Sequence, residues 1–202
     1  MQSVTAGLAI VAGFGALALV MARLLTPVVP AAAVLGARVV AWRAPLTLLV
    51  AATATAGSLY FSEVAHYLPC RLCWFQRVAM YPITVIALVG LIRRDRGARW
   101  YLLPLAAIGL VISSYHYLIE WEPSLDTGSC ALFGPSCTDI WFRSFGFVTL
   151  AFMAMCGFVF VIVVNTITFP AQTRAAATAN LMPTPTPTPA STPRGATVEE
   201  TS

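Results

Sequence analysis

Val78-Ala-Met-Tyr-Pro-Ile-Thr-Val-Ile-Ala-Leu-Val-Gly-Leu-Ile92 is an uncharged run of 15 residues. It ends on Arg93-Arg-Asp-Arg-Gly-Ala-Arg99, and a second uncharged run of 20 residues, Trp100–Ile119, follows. A membrane-spanning helix needs about 20 apolar residues, so the two runs and their basic turn read as a transmembrane hairpin. Ser3–Ala22, Ala44–Ser62 and Ser144–Thr173 repeat the pattern, giving five candidate spans. Of the 202 residues, 58% are hydrophobic and 10% charged, against about 25% charged in a soluble domain. Mean hydropathy is +0.80. The expected fold is all-α: a four-helix transmembrane bundle with one extra N-terminal transmembrane helix. No room is left for a soluble catalytic domain, so any chemistry must lie in the helices or their short loops.

The positive charge is all arginine: twelve Arg and no Lys stand against eight Asp and Glu. Their excess is small and the chain apolar, which excludes a basic nucleic-acid binder and makes their distribution the useful signal. Short Arg-rich loops stay cytoplasmic. Arg93, Arg94, Arg96 and Arg99 therefore put their loop inside, and the segments around His66–Arg71 and Glu120–Arg143 outside. The linker Arg23–Arg43, with three Arg, is expected inside and the N-terminus outside. A signal peptide is the competing reading of Ser3–Ala22, but no basic residue precedes that run and it is long for one. Thr26–Gly36, with Pro27 and Pro30, reads as a connector. The expected organisation is residues 1–43 as extra span and linker, 44–169 as the bundle, and 170–202 as a disordered cytoplasmic tail, because its Pro/Thr repeats lack apolar periodicity. The chain is thus expected to be a multi-pass cell-membrane protein.

Fifteen residues of helix are only about 22 Å long, against about 30 Å of hydrocarbon, so the span ending at Ile92 must extend outward. Counting twenty residues back reaches Cys73 at the outer surface, with Arg77 one turn deeper on the same helical face. Trp74, Phe75 and Tyr81 fall where aromatic belts occur. On the next span His116 lies one turn below Glu120, at a depth similar to Arg77.

Four of the five cysteines fall on the outer side: Cys70 and Cys73 in Pro-Cys-Arg-Leu-Cys-Trp, and Cys130 and Cys137 in Cys-Ala-Leu-Phe-Gly-Pro-Ser-Cys. Cys156, among Met153, Met155 and Phe158, reads as a small apolar core residue. Paired cysteines outside the cytoplasm tend to form disulfides, and both spacings can close. Structural staples are one reading and a four-thiolate zinc site another. A third is redox activity, because a Cys-x-x-Cys at a helix start gains thiolate stabilisation from amide groups and the helix dipole. Two observations favour the third: a membrane bundle needs no staples, and an intramembrane charge such as Arg77 is costly and so marks function. Its guanidinium can hold a carbonyl oxygen of a lipid-soluble electron acceptor. Gln76 reads as a polar packing residue that, beside Arg77, can also contact this acceptor. His66 reads as an interfacial side chain, and Glu63 as a loop cap or partner of Arg71. No metal is expected.

Gly57-Ser-Leu-Tyr-Phe-Ser-Glu63, Pro69-Cys-Arg-Leu-Cys-Trp-Phe-Gln-Arg77, Met80-Tyr-Pro82, Ser114-Tyr-His-Tyr117, the second cysteine pair and Phe145-Gly-Phe147 resemble, in that order, the disulfide-bond formation protein B (DsbB) family, nearest its short BdbC-like form. The resemblance covers roughly Pro45 to Thr168 and implies a four-helix membrane bundle. It implies a protein-dithiol:quinone oxidoreductase that reoxidises a secreted DsbA-like thioredoxin-fold oxidase for disulfide formation, with ubiquinone or menaquinone as acceptor. Residue by residue, Cys73 corresponds to the cysteine facing the quinone and Cys70 to the one exchanging with the loop pair. Cys130 corresponds to the cysteine attacked by the partner and Cys137 to its resolving mate. Arg77 is similar to the quinone-associated arginine and His116 to a third-helix position near the quinone. The chain departs from the family in its extra N-terminal span, its short loop between Cys130 and Cys137, and its Pro/Thr tail. A vitamin-K-epoxide-reductase-like enzyme would carry the quinone-side Cys-x-x-Cys late, on the final helix, whereas here it precedes the loop pair. A non-enzymatic scaffold would hold two disulfides that resist mild reductant.

Overall fold

The computed structural model describes residues 2–126 and 135–170. The elements are α1 (Gln2–Leu25), α2 (Pro30–Ala41), α3 (Arg43–Leu59), α4 (Arg71–Arg93), α5 (Arg99–Trp121) and α6 (Leu150–Thr166). A wide π-type turn, Tyr60–Val64, prolongs α3. Four helical stretches are long and apolar enough to cross a membrane: Gln2–Leu25, Arg43–Val64, Arg71–Arg93 and Arg99–Trp121; Leu150–Thr166 is apolar but shorter. The protein is an all-α membrane protein whose α3, α4, α5 and α6 form a bundle, with α1 packed on its outside.

Two expectations need correction. Thr26–Gly36 is no simple connector: only Thr26 to Val29 link the helices, and α2 begins at Pro30. Proline at the first helical position loses nothing, since that N–H has no intrahelical partner and its fixed φ suits the helix. The last apolar stretch is also not helical throughout. Ser144 and Val148 exchange two backbone hydrogen bonds of 2.9 Å, closing a tight turn in which Phe145 (φ 53°) and Gly146 (φ 81°) are left-handed. The helix starts only at Leu150, where the Thr149 hydroxyl accepts the Phe152 N–H at 3.3 Å as its cap.

Lipid is as apolar as leucine, so helices in a bilayer are held by close packing and by polar bridges. Both occur here. A Cβ on Gly109 of α5 would lie 2.3 Å from the fully buried Phe158 ring of α6; only glycine lets the two backbones approach so closely. Thr55 and Thr84 hydroxyls join α3 to α4 at 2.9 Å, and Asn165 donates to Thr47 at 2.9 Å, joining α6 to α3. Among the described residues every buried side-chain N or O has a hydrogen-bond partner, as a water-free interior demands. Large side chains such as Val85, Ile92, Val111 and Leu49 point outward and are 60% or more exposed. That arrangement suits a hydrocarbon solvent.

The bundle has two distinct ends. Arg93, Arg94, Arg96 and Arg99 lie between α4 and α5, where Arg94 ends α4 in a left-handed conformation (φ 52°). Cys70, Cys73 and Cys137 lie at the other. The Gln2 amide donates to the Tyr67 hydroxyl, so α1 starts at the cysteine end and runs parallel to α6. The proposed tail beyond residue 170 lies outside the described residues.

Candidate functional site

The approach to the first cysteine is set by aromatic stacking. The Tyr67 ring lies between Phe61 (5.8 Å, 2°) and Trp141 (5.0 Å, 9°), and its N–H donates to the Phe61 carbonyl at 2.9 Å. Exposed His66 takes the left-handed conformation (φ 56°) that this turn requires. Pro69 then delivers Cys70 as the N-cap of α4: its backbone is extended (ψ 172°), and its sulfur accepts the Cys73 N–H at 3.3 Å. Cys70 and Cys73 are free thiols whose sulfurs stand 2.9 Å apart.

The two thiols share one neighbourhood, but only Cys73 also reaches the cavity. Cys70 is buried with Ile119 and the wholly buried Cys137, and Leu72, Cys73 and Tyr115 pack against this cluster. Cys137 is disulfide-bonded; Cys130 lies outside the described residues. Cys73 also lines a cavity of ≈ 420 Å³, within the usual range for small-molecule sites. Gln76, Arg77, Ser58 and Tyr81 give its cysteine end polar character, and the remainder, Thr5, Thr53 and Tyr67 aside, is apolar.

Arg77 donates to the Ser58 carbonyl at 3.1 Å, and its guanidinium carbon lies 5.2 Å from the centre of the Trp74 ring. One of its five N–H groups is thereby committed, and the fork is held at the cavity wall. Buried Gln76 reaches both ways: it lines the cavity, and its Nε2 meets His116 Nδ1 at 3.0 Å. His116 is not among the cavity-lining residues. Its Nε2 lies 3.1 Å from the Cys137 carbonyl oxygen and 3.7 Å from the Cys70 sulfur. The depth match with Arg77 thus brings His116 to Cys70, with Gln76 between it and the cavity.

Glu120, used in the sequence only to mark the end of a span, belongs to this cluster. It is buried, accepts the Thr149 hydroxyl at 2.6 Å, and lies 3.9 Å from His116 Nε2. Its position four residues after His116 was the available signal, since i and i+4 share a helix face. Cys156 lies apart in α6, against Gly13 of α1.

Chemically, the arrangement can exchange disulfides on one side and meet a small molecule on the other. The hydrogen bond with the Cys73 thiol, aided by His116 and opposed by burial, lowers the Cys70 thiol from its ordinary 9.0 to about 4. Cys70 is therefore a thiolate at neutral pH and a good leaving group. Alkylation of Cys70 in the reduced protein is expected to be flat from about pH 8 to pH 5 and to fall only as the pH drops through about 4. A steep rise between pH 7 and 9, measured by mass spectrometry of iodoacetamide-labelled peptides, contradicts this environment. Cys70, Cys73 and His116 also place three ligand atoms within 4.8 Å of one another, which could accept a thiophilic cation only while both thiols are reduced.

Residues 41–168 match the family described as "Disulfide bond formation protein DsbB". The "Probable disulfide formation protein C" of Halalkalibacterium halodurans is 43% identical over 115 residues, 57% of this chain and 84% of the relative. The "Disulfide bond formation protein C" of Bacillus subtilis is 38% identical over 115 residues, 57% of this chain and 83% of that protein. A "Probable disulfide formation protein" of Coxiella burnetii is 43% identical over 108 residues, 53% of this chain and 74% of the relative. No solved structure matches the chain. α1 and all but the last residue of α2 precede the matched segment. With a Cys-x-x-Cys thiol pair opening a transmembrane helix and a third, disulfide-bonded cysteine packed against it, the chain belongs to the DsbB family, in its BdbC-like form, and is a disulfide-generating membrane oxidoreductase.

Proposed function

We propose that the protein reoxidises a secreted DsbA-like thioredoxin-fold thiol oxidase and passes the electrons to quinone. The observation that carries this reading is the position of the thiol pair at the start of α4, between a third cysteine and a cavity: Cys70 and Cys73 pack with Cys137, and Cys73 also lines the cavity with Arg77.

The partner's thiolate attacks Cys130, forming a mixed disulfide and expelling Cys137 as a thiolate. Cys137 then attacks Cys70 of the oxidised pair, and Cys73 leaves. The partner's second thiol resolves its own mixed disulfide, so the partner departs oxidised and Cys130 is freed. Cys130 attacks Cys137 and expels Cys70, the favourable leaving group. Two electrons have then moved from the partner dithiol to Cys70 and Cys73, and the loop disulfide is restored. Each step is thiolate attack through a mixed disulfide. His116, between Cys70 and Cys137, steadies charge and handles the proton at this junction.

The polar end of the cavity fits a quinone ring. Arg77 offers donors beside Cys73, Gln76 adds an amide, and the apolar remainder suits a lipid-soluble molecule. A quinone held there takes up two electrons and two protons as Cys70 and Cys73 close to a disulfide. The arginine-rich α4–α5 turn supports an orientation with the cysteine end extracytoplasmic. Residues 1–43 form an added membrane segment on the 44–169 bundle in this reading, and 170–202 a cytoplasmic tail.

Purified protein in detergent, given a reduced thioredoxin-fold oxidase and a soluble quinone, is expected to reduce the quinone only when both are present. Quinone reduction without the partner, or partner oxidation without quinone beyond the two equivalents that its two disulfides can take up, contradicts the relay.

A further inference from the structure

The cavity continues well past the ring site. Its lining on α3 runs from Ser58 to Leu46, twelve residues or about 18 Å of helix. Over that length the polar groups give way to Leu49, Val50, Ala154 and Phe160. The opposite wall is α1, through Thr5, Leu8, Ala9, Val11, Ala12 and Gly15.

α1 reaches this position by docking on α6. A Cβ on Gly13 would lie 3.1 Å from Cys156 Sγ, and one on Gly15 would lie 3.7 Å from the Phe160 ring. Near the cysteine end α1 also comes close to α3, where a Cβ on Gly57 would lie 3.8 Å from Thr5 Cγ2. Further along, the cavity walls open. Leu8, Val11 and Leu49 line the cavity yet are 49%, 69% and 62% exposed. In a bilayer that exposure faces acyl chains, so the cleft between α1 and α3 is a lateral opening to lipid. The Gln2–Tyr67 hydrogen bond ties the start of α1 to the loop that delivers Cys70.

We infer that α1 is the tail-binding wall of the acceptor site: the ring lies at Cys73 and Arg77, and an isoprenoid tail runs along the α1–α3 cleft and leaves sideways into the bilayer. The inference rests on the quinone reading above. It adds a specificity element that lies wholly outside the family's matched segment, which begins at residue 41. The small side chains of Ala9, Ala12 and Gly15 leave the width that a branched chain needs.

The test uses the full chain in detergent and a quinone with a photoreactive azide at the end of a long isoprenoid tail. Irradiation is expected to label peptides of α1 and α3, and an excess of unlabelled long-tailed quinone to suppress the label. In parallel, Ala9→Phe and Ala12→Phe are expected to raise the KM for long-tailed quinone relative to that for a short-tailed analogue by roughly tenfold. Leu17→Phe, at a position that is 55% exposed and on the opposite side of α1 from the cavity-lining residues, leaves that ratio unchanged. Label absent from α1, or equal KM changes for both tails, overturns the inference. If α1 is labelled but no electrons pass from the partner, the tail site stands and the oxidoreductase reading fails; because labelling uses the unaltered chain, misfolding of a variant cannot mask the result.

Discussion

Single replacement of Cys70, Cys73, Cys130 or Cys137 by Ser is expected to lower partner-dependent quinone reduction by at least roughly a thousandfold, since each removes a nucleophile or leaving group from a serial relay. Cys156→Ser is expected to retain normal turnover, because Cys156 is buried in α6 against Gly13, far from the thiol pair. Three of these losses should differ in kind. Cys73→Ser leaves Cys70 against Cys137; the Cys70 thiolate can attack Cys137 of the loop disulfide and expel Cys130, so a Cys70–Cys137 disulfide is expected to accumulate, visible as a cross-linked peptide after alkylation. Cys137→Ser leaves Cys130 as a thiol with no disulfide for the partner to attack, so partner complexes should be scarce. Cys70→Ser keeps an intact loop pair and still oxidises one equivalent of partner. Full turnover in any of these four variants, or its loss in Cys156→Ser, breaks the relay.

Much of this arrangement was legible in the sequence because its signals are strong and local. The uncharged runs mark where helices cross, and Arg93 to Arg99 mark one end. The Cys-x-x-Cys spacing at the start of a span places Cys73 and Arg77 on one face, and both line the cavity. What was not legible depends on contacts between distant segments. His116 was placed by its depth and by a resemblance to a third-helix position. Depth does not determine the direction in which a side chain points around a helix, and packing turns His116 to Cys70. Glu120 looked like a boundary marker because a carboxylate at the end of a span is ordinarily solvated; here the Thr149 hydroxyl holds it inside. The α2 helix was hidden by Pro30, which starts a helix as readily as it breaks one. Nor could α1 be recognised as a cavity wall, since its alanines and glycines show no feature of their own until α6 and α3 stand opposite.

Arg77→Gln is expected to raise the apparent KM for quinone about tenfold, which is about 1.4 kcal/mol of binding, while exchange between the partner and the loop pair stays near normal. The alternative role is structural, since Arg77 donates to the Ser58 carbonyl and stacks near Trp74. Magnitudes decide between the two. An arginine within a span costs about 3 kcal/mol on insertion scales, and one hydrogen bond from a charged group returns about 1.5–3 kcal/mol. The contact to Ser58 therefore does little more than offset the charge, and a neutral residue would hold α3 to α4 at less expense. Retention of the guanidinium is explained if it acts on the acceptor. Arg77→Lys keeps the charge but replaces a planar fork with a compact ammonium, so it is expected to recover only part of the quinone affinity. Steady-state kinetics at varied quinone, alongside the protein level in membranes, separate the roles. If Arg77→Gln protein fails to accumulate while the surviving fraction shows an unchanged KM, the residue serves the α3–α4 contact and the ring site must lie elsewhere in the cavity.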